Sequence, residues 1–226
     1  MKIIRFQQKR FFICLIFFLA VLCAAHYIFW SADEDDIPEC FLPEDDLRKV
    51  EKLLIAIQDP LKALNLTYFL CYNSLWGALK MKGPLPWQNS LELCVLNKQI
   101  SAIDEGFLAR SFRHSGLSIT YNSAGGFYTV FKFGETVPSA TLTVFEEDPI
   151  TRQMRRIGWI HRMLPPNSCE ELNCFPPELI AHPLPMVTFG QREVPAPRDG
   201  IEIQKYLFPY SWWKEITPSN CRETNQ

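Results

Sequence analysis

Residues 68–95 read YFLCYNSLWGALKMKGPLPWQNSLELCV, and the pattern changes several times within them. Tyr68-Phe69-Leu70 is a short apolar run of the kind that forms a buried strand. Cys71, Tyr72, Asn73 and Ser74 make a tight polar turn, and residues 73–82 then carry helix formers. Gly83-Pro84-Leu85-Pro86 breaks that helix, because each proline removes a backbone donor and fixes φ. Leu91-Glu92-Leu93-Cys94-Val95 partly alternates with period two, as a half-buried strand does. The order is strand, turn, short helix, Pro-Trp loop, strand.

Working outward, Pro43 opens PEDDLRKVEKLLIAIQDPLKALN, with a proline at the start and acids in the first turn, as a helix prefers. Leu47, Val50, Leu53, Leu54, Ile57, Leu61 and Leu64 recur at helical spacing as one stripe. Pro60 is expected to kink or split this helix. Downstream, Ile100–Ser111 reads as a helix, and Leu117–Tyr121 and Phe127–Phe133 as strands. Asn122-Ser123-Ala124-Gly125-Gly126 between them is a hairpin turn rather than a phosphate cradle. Ala140–Phe145 makes another strand, and prolines are dense from Met163 onward. The expected fold class is α/β (α+β): a mixed, partly antiparallel sheet flanked by helices.

The chain has 226 residues, 47% hydrophobic and 21% charged, with a net charge of −2. That composition describes a folded domain, and the absence of a basic patch argues against nucleic acid. Residues 11–30, FFICLIFFLAVLCAAHYIFW, carry no fully charged side chain and are long enough for a bilayer core. Lys2, Arg5, Lys9 and Arg10 precede them and Asp33, Glu34, Asp35 and Asp36 follow. The expected organisation is therefore a cytoplasmic tail (1–10), a transmembrane signal-anchor (11–30), an acidic stalk (31–42) and a luminal domain (43–226). That is a single-pass type II protein of the Golgi or endoplasmic reticulum membrane. Cys23-Ala24-Ala25 leaves a cleaved signal peptide as the competing reading.

Cys40, Cys71, Cys94, Cys169, Cys174 and Cys221 follow the anchor, an even number that favours disulfides of open connectivity. Zinc held by Cys169, Cys174 and His161 or His182 is weighed against, since no tight C-x2-C pair exists. Asn65-Leu66-Thr67 is a glycosylation sequon. There is no G-x-S-x-G, H-E-x-x-H or Walker loop, and His114 and His161 have no catalytic partner in sequence.

Tyr68, Leu70, Leu75, Gly77, Pro86, Trp87, Leu91 and Leu93 carry, with spacing intact, a resemblance to the LicD/fukutin family. This is a membrane-associated branch of the nucleotidyltransferase superfamily. Its pattern runs Y-x-L-D-x-G-T-L-L-G-x-x-R, a short gap, then P-W-D-x-D-h-D-h, where h is apolar. Phe189-Gly190, Val194-Pro195, Tyr206-Leu207 and Tyr210-Ser211-Trp212 look like the family's closing segment. The resemblance spans most of residues 43–216.

The resemblance implies a nucleotidyltransferase-like sheet and transfer of a phospho-alcohol, ribitol phosphate or phosphocholine, from a CDP-linked donor to a glycan. It also implies Mg²⁺ or Mn²⁺ held by carboxylates on adjacent strands. Two acids at i and i+2 share one face of a strand, so D-h-D aims both at the metal. Ser90 and Glu92 stand at those positions, and Thr143 stands where a third acid is expected. Glu92 is thus the residual catalytic and metal-ligating candidate, or else a structural acid. Asn73 and Ser74 replace the Gly-Thr phosphate turn. With Gly77 and Trp87 they complete the expected substrate-binding set.

Three readings follow. The first is a non-catalytic module for a glycan, a glycoprotein acceptor, a nucleotide-linked donor or an active relative. The second is a divergent transferase using Glu92, Ser74 and one acid of Glu146–Asp148. The third is a disulfide-stabilised interaction domain without this ancestry.

Overall fold

The computed structural model describes residues 41–160 and 169–214, together with the exposed helical positions 18–21 and 23. Contacts divide the chain into two units, Met1–Glu39 and Cys40–Gln226. The expected tail, nearly all of the anchor and most of the stalk lie outside the described residues, as do Cys40, His161 and Cys221. Among the described residues, no helix is long and apolar enough to cross a membrane.

In the second unit, helix α1 (Glu44–Ala63) leads to strand β1 (Tyr68–Leu70), helix α2 (Tyr72–Met81) and strand β2 (Ser90–Leu96). A short helix α3 (Asn97–Ile100) and helix α4 (Glu105–His114) precede β3 (Leu117–Asn122), β4 (Phe127–Lys132), β5 (Ser139–Glu147) and β6 (Met154–Arg156). The hairpin β7 (Met186–Phe189) and β8 (Arg192–Pro195) and helix α5 (Gly200–Leu207) close the unit. The main sheet runs β1-β2-β5-β4-β3, with β6 also paired to β5. Only β2 and β5 are parallel; the other pairs are antiparallel. The fold is the expected mixed α/β sheet flanked by helices.

Strand alternation separates the two faces of this sheet. One carries Leu70, Leu91, Leu93, Val95, Ala140, Leu142, Val144, Val130 and Leu117, all buried. Val50, Leu53, Leu54, Ile57 and Leu61 of α1 and Leu108 and Phe112 of α4 complete that core. Each fully buried leucine or phenylalanine contributes roughly 1.5–3 kcal/mol. The opposite face carries Ser90, Glu92 and Cys94 of β2, Ser139, Thr141 and Thr143 of β5, and Thr129 of β4. They lie side by side in register. The sheet is apolar against its helices and polar where a site can form.

Two helix expectations change. Pro60 does not split α1; it is buried within the last turn, where its missing N–H removes one bond near an end that is already unsatisfied. Ile100–Ser111 is not one helix. The chain breaks at Asp104, whose extended backbone caps α4 and whose Oδ1 accepts the Phe107 N–H at 2.9 Å. The hairpin turn is as expected, with Gly126 at φ +67°, where a side chain would overlap the Ile157 carbonyl.

Cys71 and Cys94 form a disulfide, Cα–Cα 5.9 Å, joining the end of β1 to the centre of β2. Cys169 and Cys174 are free, so among the described cysteines of the domain only one pair is bonded. Replacing Cys71 and Cys94 together with alanine is expected to lower stability by about 3 kcal/mol, read from denaturant unfolding.

Candidate functional site

β1 pairs with Leu93, Cys94 and Val95 and ends at Leu70, short of the first residues of β2, and the next turn takes over its ladder. The Cys71 N–H donates to the Glu92 carbonyl at 3.3 Å. The Glu92 N–H then donates to Ser74 Oγ at 2.8 Å. Ser74, 3% exposed, therefore acts as a strand-edge acceptor made from a side chain. The Asn73 N–H donates to Glu92 Oε2 at 2.8 Å, and Gln88 Nε2 donates to the same oxygen at 3.3 Å and to Ser90 Oγ at 3.0 Å.

Glu92 is thus enclosed by Asn73, Ser74, Gln88 and Ser90. Loss of water holds its carboxyl above the usual range, and the bonds from Asn73, Gln88 and the Ser74 turn oppose that rise without cancelling it. The first metal position, Ser90, offers a hydroxyl already engaged by Gln88. On β5, Thr141 lies opposite Glu92, while Thr143 pairs with Cys94 and Phe127. Thr143 shares the polar face but is 3% exposed, one strand period beyond the carboxylate.

The nearby acids Glu146, Glu147 and Asp148 are each paired with an arginine. Arg155 pairs with Glu146 at 3.1 Å and with Asp148 at 2.9 Å, and Asn97 donates to Glu146 at 3.1 Å. Bonds from the Ile150 N–H, followed by the Arg155 charge, keep Asp148 below the ordinary carboxylate range. Among the described residues, no three His, Cys, Asp or Glu side chains are placed to hold an ion. One carboxylate flanked by hydroxyls does not fit Mg²⁺ or Mn²⁺, which need several charged or carbonyl oxygens.

The other expected residues divide. Gly77 is buried, and a Cβ there would overlap the Gly83 carbonyl, so its smallness serves the packing of α2 on the Gly-Pro loop. Trp87 is half-buried in the turn before β2. Asn65 is exposed after α1 with φ +53°, and the Thr67 hydroxyl of its sequon accepts from Gln99 Nε2 at 3.0 Å. Trp213 is exposed rather than closing a core, and Trp212 lies beneath the Lys205 ammonium at 5.1 Å.

Two residues that sequence reading passed over meet at this face. Tyr72 sits at φ +49°, unusual for a bulky side chain. Its carbonyl accepts from Gln204 Nε2 at 2.7 Å and its hydroxyl donates to Asn173 Oδ1 at 3.2 Å. Burial pushes its phenol up to about 12, against the pull of Arg156. Arg156 donates from Nε to the Gly125 carbonyl at 3.2 Å and lies over the Phe127 ring, 5.9 Å from its centroid. The adjacent Arg155-Arg156 pair was the only sequence signal, and Tyr72 showed only as a bulky residue in a turn.

A family model described as LicD/FKTN/FKRP, nucleotidyltransferase domain, matches residues 65–199, more than half of the chain. No curated protein matches the chain significantly.

Ser74→Ala would leave the Glu92 N–H without its acceptor and is expected to cost about 1–3 kcal/mol in unfolding free energy. Because the folded carboxyl of Glu92 binds its proton more tightly than the unfolded one, ionising it destabilises the fold as pH rises between the two values. Glu92→Gln removes that penalty. Its stability relative to the unmutated chain should climb as pH rises through the carboxylate range and then level off. Urea midpoints measured across that range would show the climb; a flat difference would contradict it.

Proposed function

The chain belongs to the LicD/FKTN/FKRP nucleotidyltransferase family, and from that membership we propose a membrane-anchored luminal protein of glycan modification whose metal-dependent transfer chemistry is impaired. The observation that carries this reading is the row Glu92–Thr141–Thr129 across the polar face. Where the chemistry needs carboxylates on adjacent strands, only one acid is present, and it is tied to the turn that completes the β2 ladder. The fold of a donor site is kept, while the ligands for a divalent ion are not.

In this role the domain binds a glycan, a phosphorylated ligand or an active relative. The disulfide Cys71–Cys94 supports a non-cytosolic location, because thiols stay reduced in the cytosol. The uncharged run 11–30 supports the anchor, and the exposed Asn65 supports luminal glycosylation. The divergent-transferase reading loses its support at Glu146 and Asp148, since Arg155 holds both.

The test is to titrate the purified full-length chain with CDP in Mg²⁺ or Mn²⁺ and to assay transfer from CDP-ribitol to a glycan acceptor. The expected result is no turnover, and no divalent-dependent gain in CDP affinity. Turnover, or ion-dependent binding that Glu92→Ala abolishes, would restore the enzyme reading.

A further inference from the structure

Arg155 and Arg156 are neighbours in sequence with opposite electrostatic fates. Strand alternation sends Arg155 to the side where Glu146 and Asp148 compensate it. Arg156 lies across from Phe145 on the polar face, half-buried, and its partners among the described residues are neutral. They are the Gly125 carbonyl, the Phe127 ring and the Tyr72 hydroxyl, which already donates to Asn173. The acid of this face, Glu92, has its contacts with Asn73 and Gln88.

A guanidinium withdrawn from water is ordinarily paired with a carboxylate or phosphate, because its desolvation is otherwise uncompensated. Here the arginine is oriented before any ligand arrives. Nε is fixed by a backbone carbonyl, the plane rests on an aromatic ring, and Tyr72 is held from three sides. Such preorganisation lowers the entropy lost when a fork of N–H donors meets phosphate oxygens.

We propose that Arg156 is the cation of this site, and that the polar face binds a phosphate or diphosphate group without a divalent ion. This rests on the reading of the face as a former donor site, and it assigns the charge once supplied by metal to a side chain. Tyr72 and Asn173 act as positioning residues that hold the guanidinium's surroundings. The ligand class is a phosphorylated small molecule, either a nucleoside diphosphate or a sugar or alcohol phosphate.

The experiment is calorimetric titration of the full-length chain, in EDTA, with pyrophosphate, CDP and ribitol 5-phosphate in separate arms. At least one should bind. Arg156→Gln should weaken that binding by at least about tenfold, as expected for loss of a charged fork. Arg152→Gln makes the same charge change at an exposed arginine paired with Glu147, and should leave affinity within about twofold. Arg156→Lys, which keeps the charge without the fork, should bind with intermediate affinity. It also serves as the test variant if Arg156→Gln does not fold. Binding of pyrophosphate or ribitol 5-phosphate but not CDP, lost in Arg156→Gln, would support the arginine site and exclude a nucleotide ligand. Binding that needs Mg²⁺, equal weakening by both glutamine variants, or no binding in any arm would overturn the inference. Absence of binding would leave the impaired-enzyme reading intact.

Discussion

Where β1 runs out, β2 would be left with an unpaired backbone donor at its most important residue. The Ser74 hydroxyl supplies the missing acceptor, 2.8 Å from the Glu92 N–H. A buried N–H without a partner costs as much as a lost hydrogen bond or more, so this contact fixes where α2 begins relative to β2. The Cys71–Cys94 disulfide reinforces the junction one residue pair further along the same face. The turn 71–74, the entry into α2 and the direction of the Glu92 side chain are set together. Because Glu92 participates through both backbone and carboxylate, the geometry of the candidate site and the integrity of the sheet edge are one problem.

That coupling means that the turn and the sheet edge hold Glu92 in place without any metal. A second or third carboxylate on this face would place like charges beside Glu92 without a cation between them, which destabilises each ionised form. Hydroxyls stand beside it instead, Ser90 on the same strand and Thr141 on its neighbour, which avoids that repulsion with small polar side chains. Glu92 remains because the Asn73 N–H needs an acceptor, a structural demand that does not depend on metal. The retained acid is explained by the hydrogen-bond ledger before catalysis is considered.

The window from Tyr68 to Val95 was legible because its signals are local: a three-residue apolar run, a polar turn, a helix stopped by Gly83-Pro84, and period-two alternation. The α1 stripe was legible for the same reason, and Val50, Leu53, Leu54, Ile57 and Leu61 all face the core. The register of β5 against β2 was not. A parallel pair is joined through a long connection, so no turn geometry in the sequence fixes which threonine of β5 stands opposite Glu92. Asp104 carried a capping signal that the apolar residues of 100–111 masked. Arg156 was invisible as a site residue because its partners come from two distant parts of the chain, Tyr72 and the Gly125–Phe127 hairpin.

Arg155 and Arg156 show why charge counts alone cannot locate function. The chain is nearly balanced, with 23 basic and 25 acidic side chains, yet balance over the whole says nothing about each face of a strand. Period-two alternation puts consecutive arginines on opposite sides of β6. One meets two carboxylates at the strand end and becomes part of the scaffold. The other meets a carbonyl, a phenol and an aromatic ring, which orient its charge without cancelling it. Glu92 is tethered by the Asn73 N–H and Gln88 instead. A preoriented cation remains on the polar face of a donor-site fold, and the ligand chemistry complementary to it is anionic.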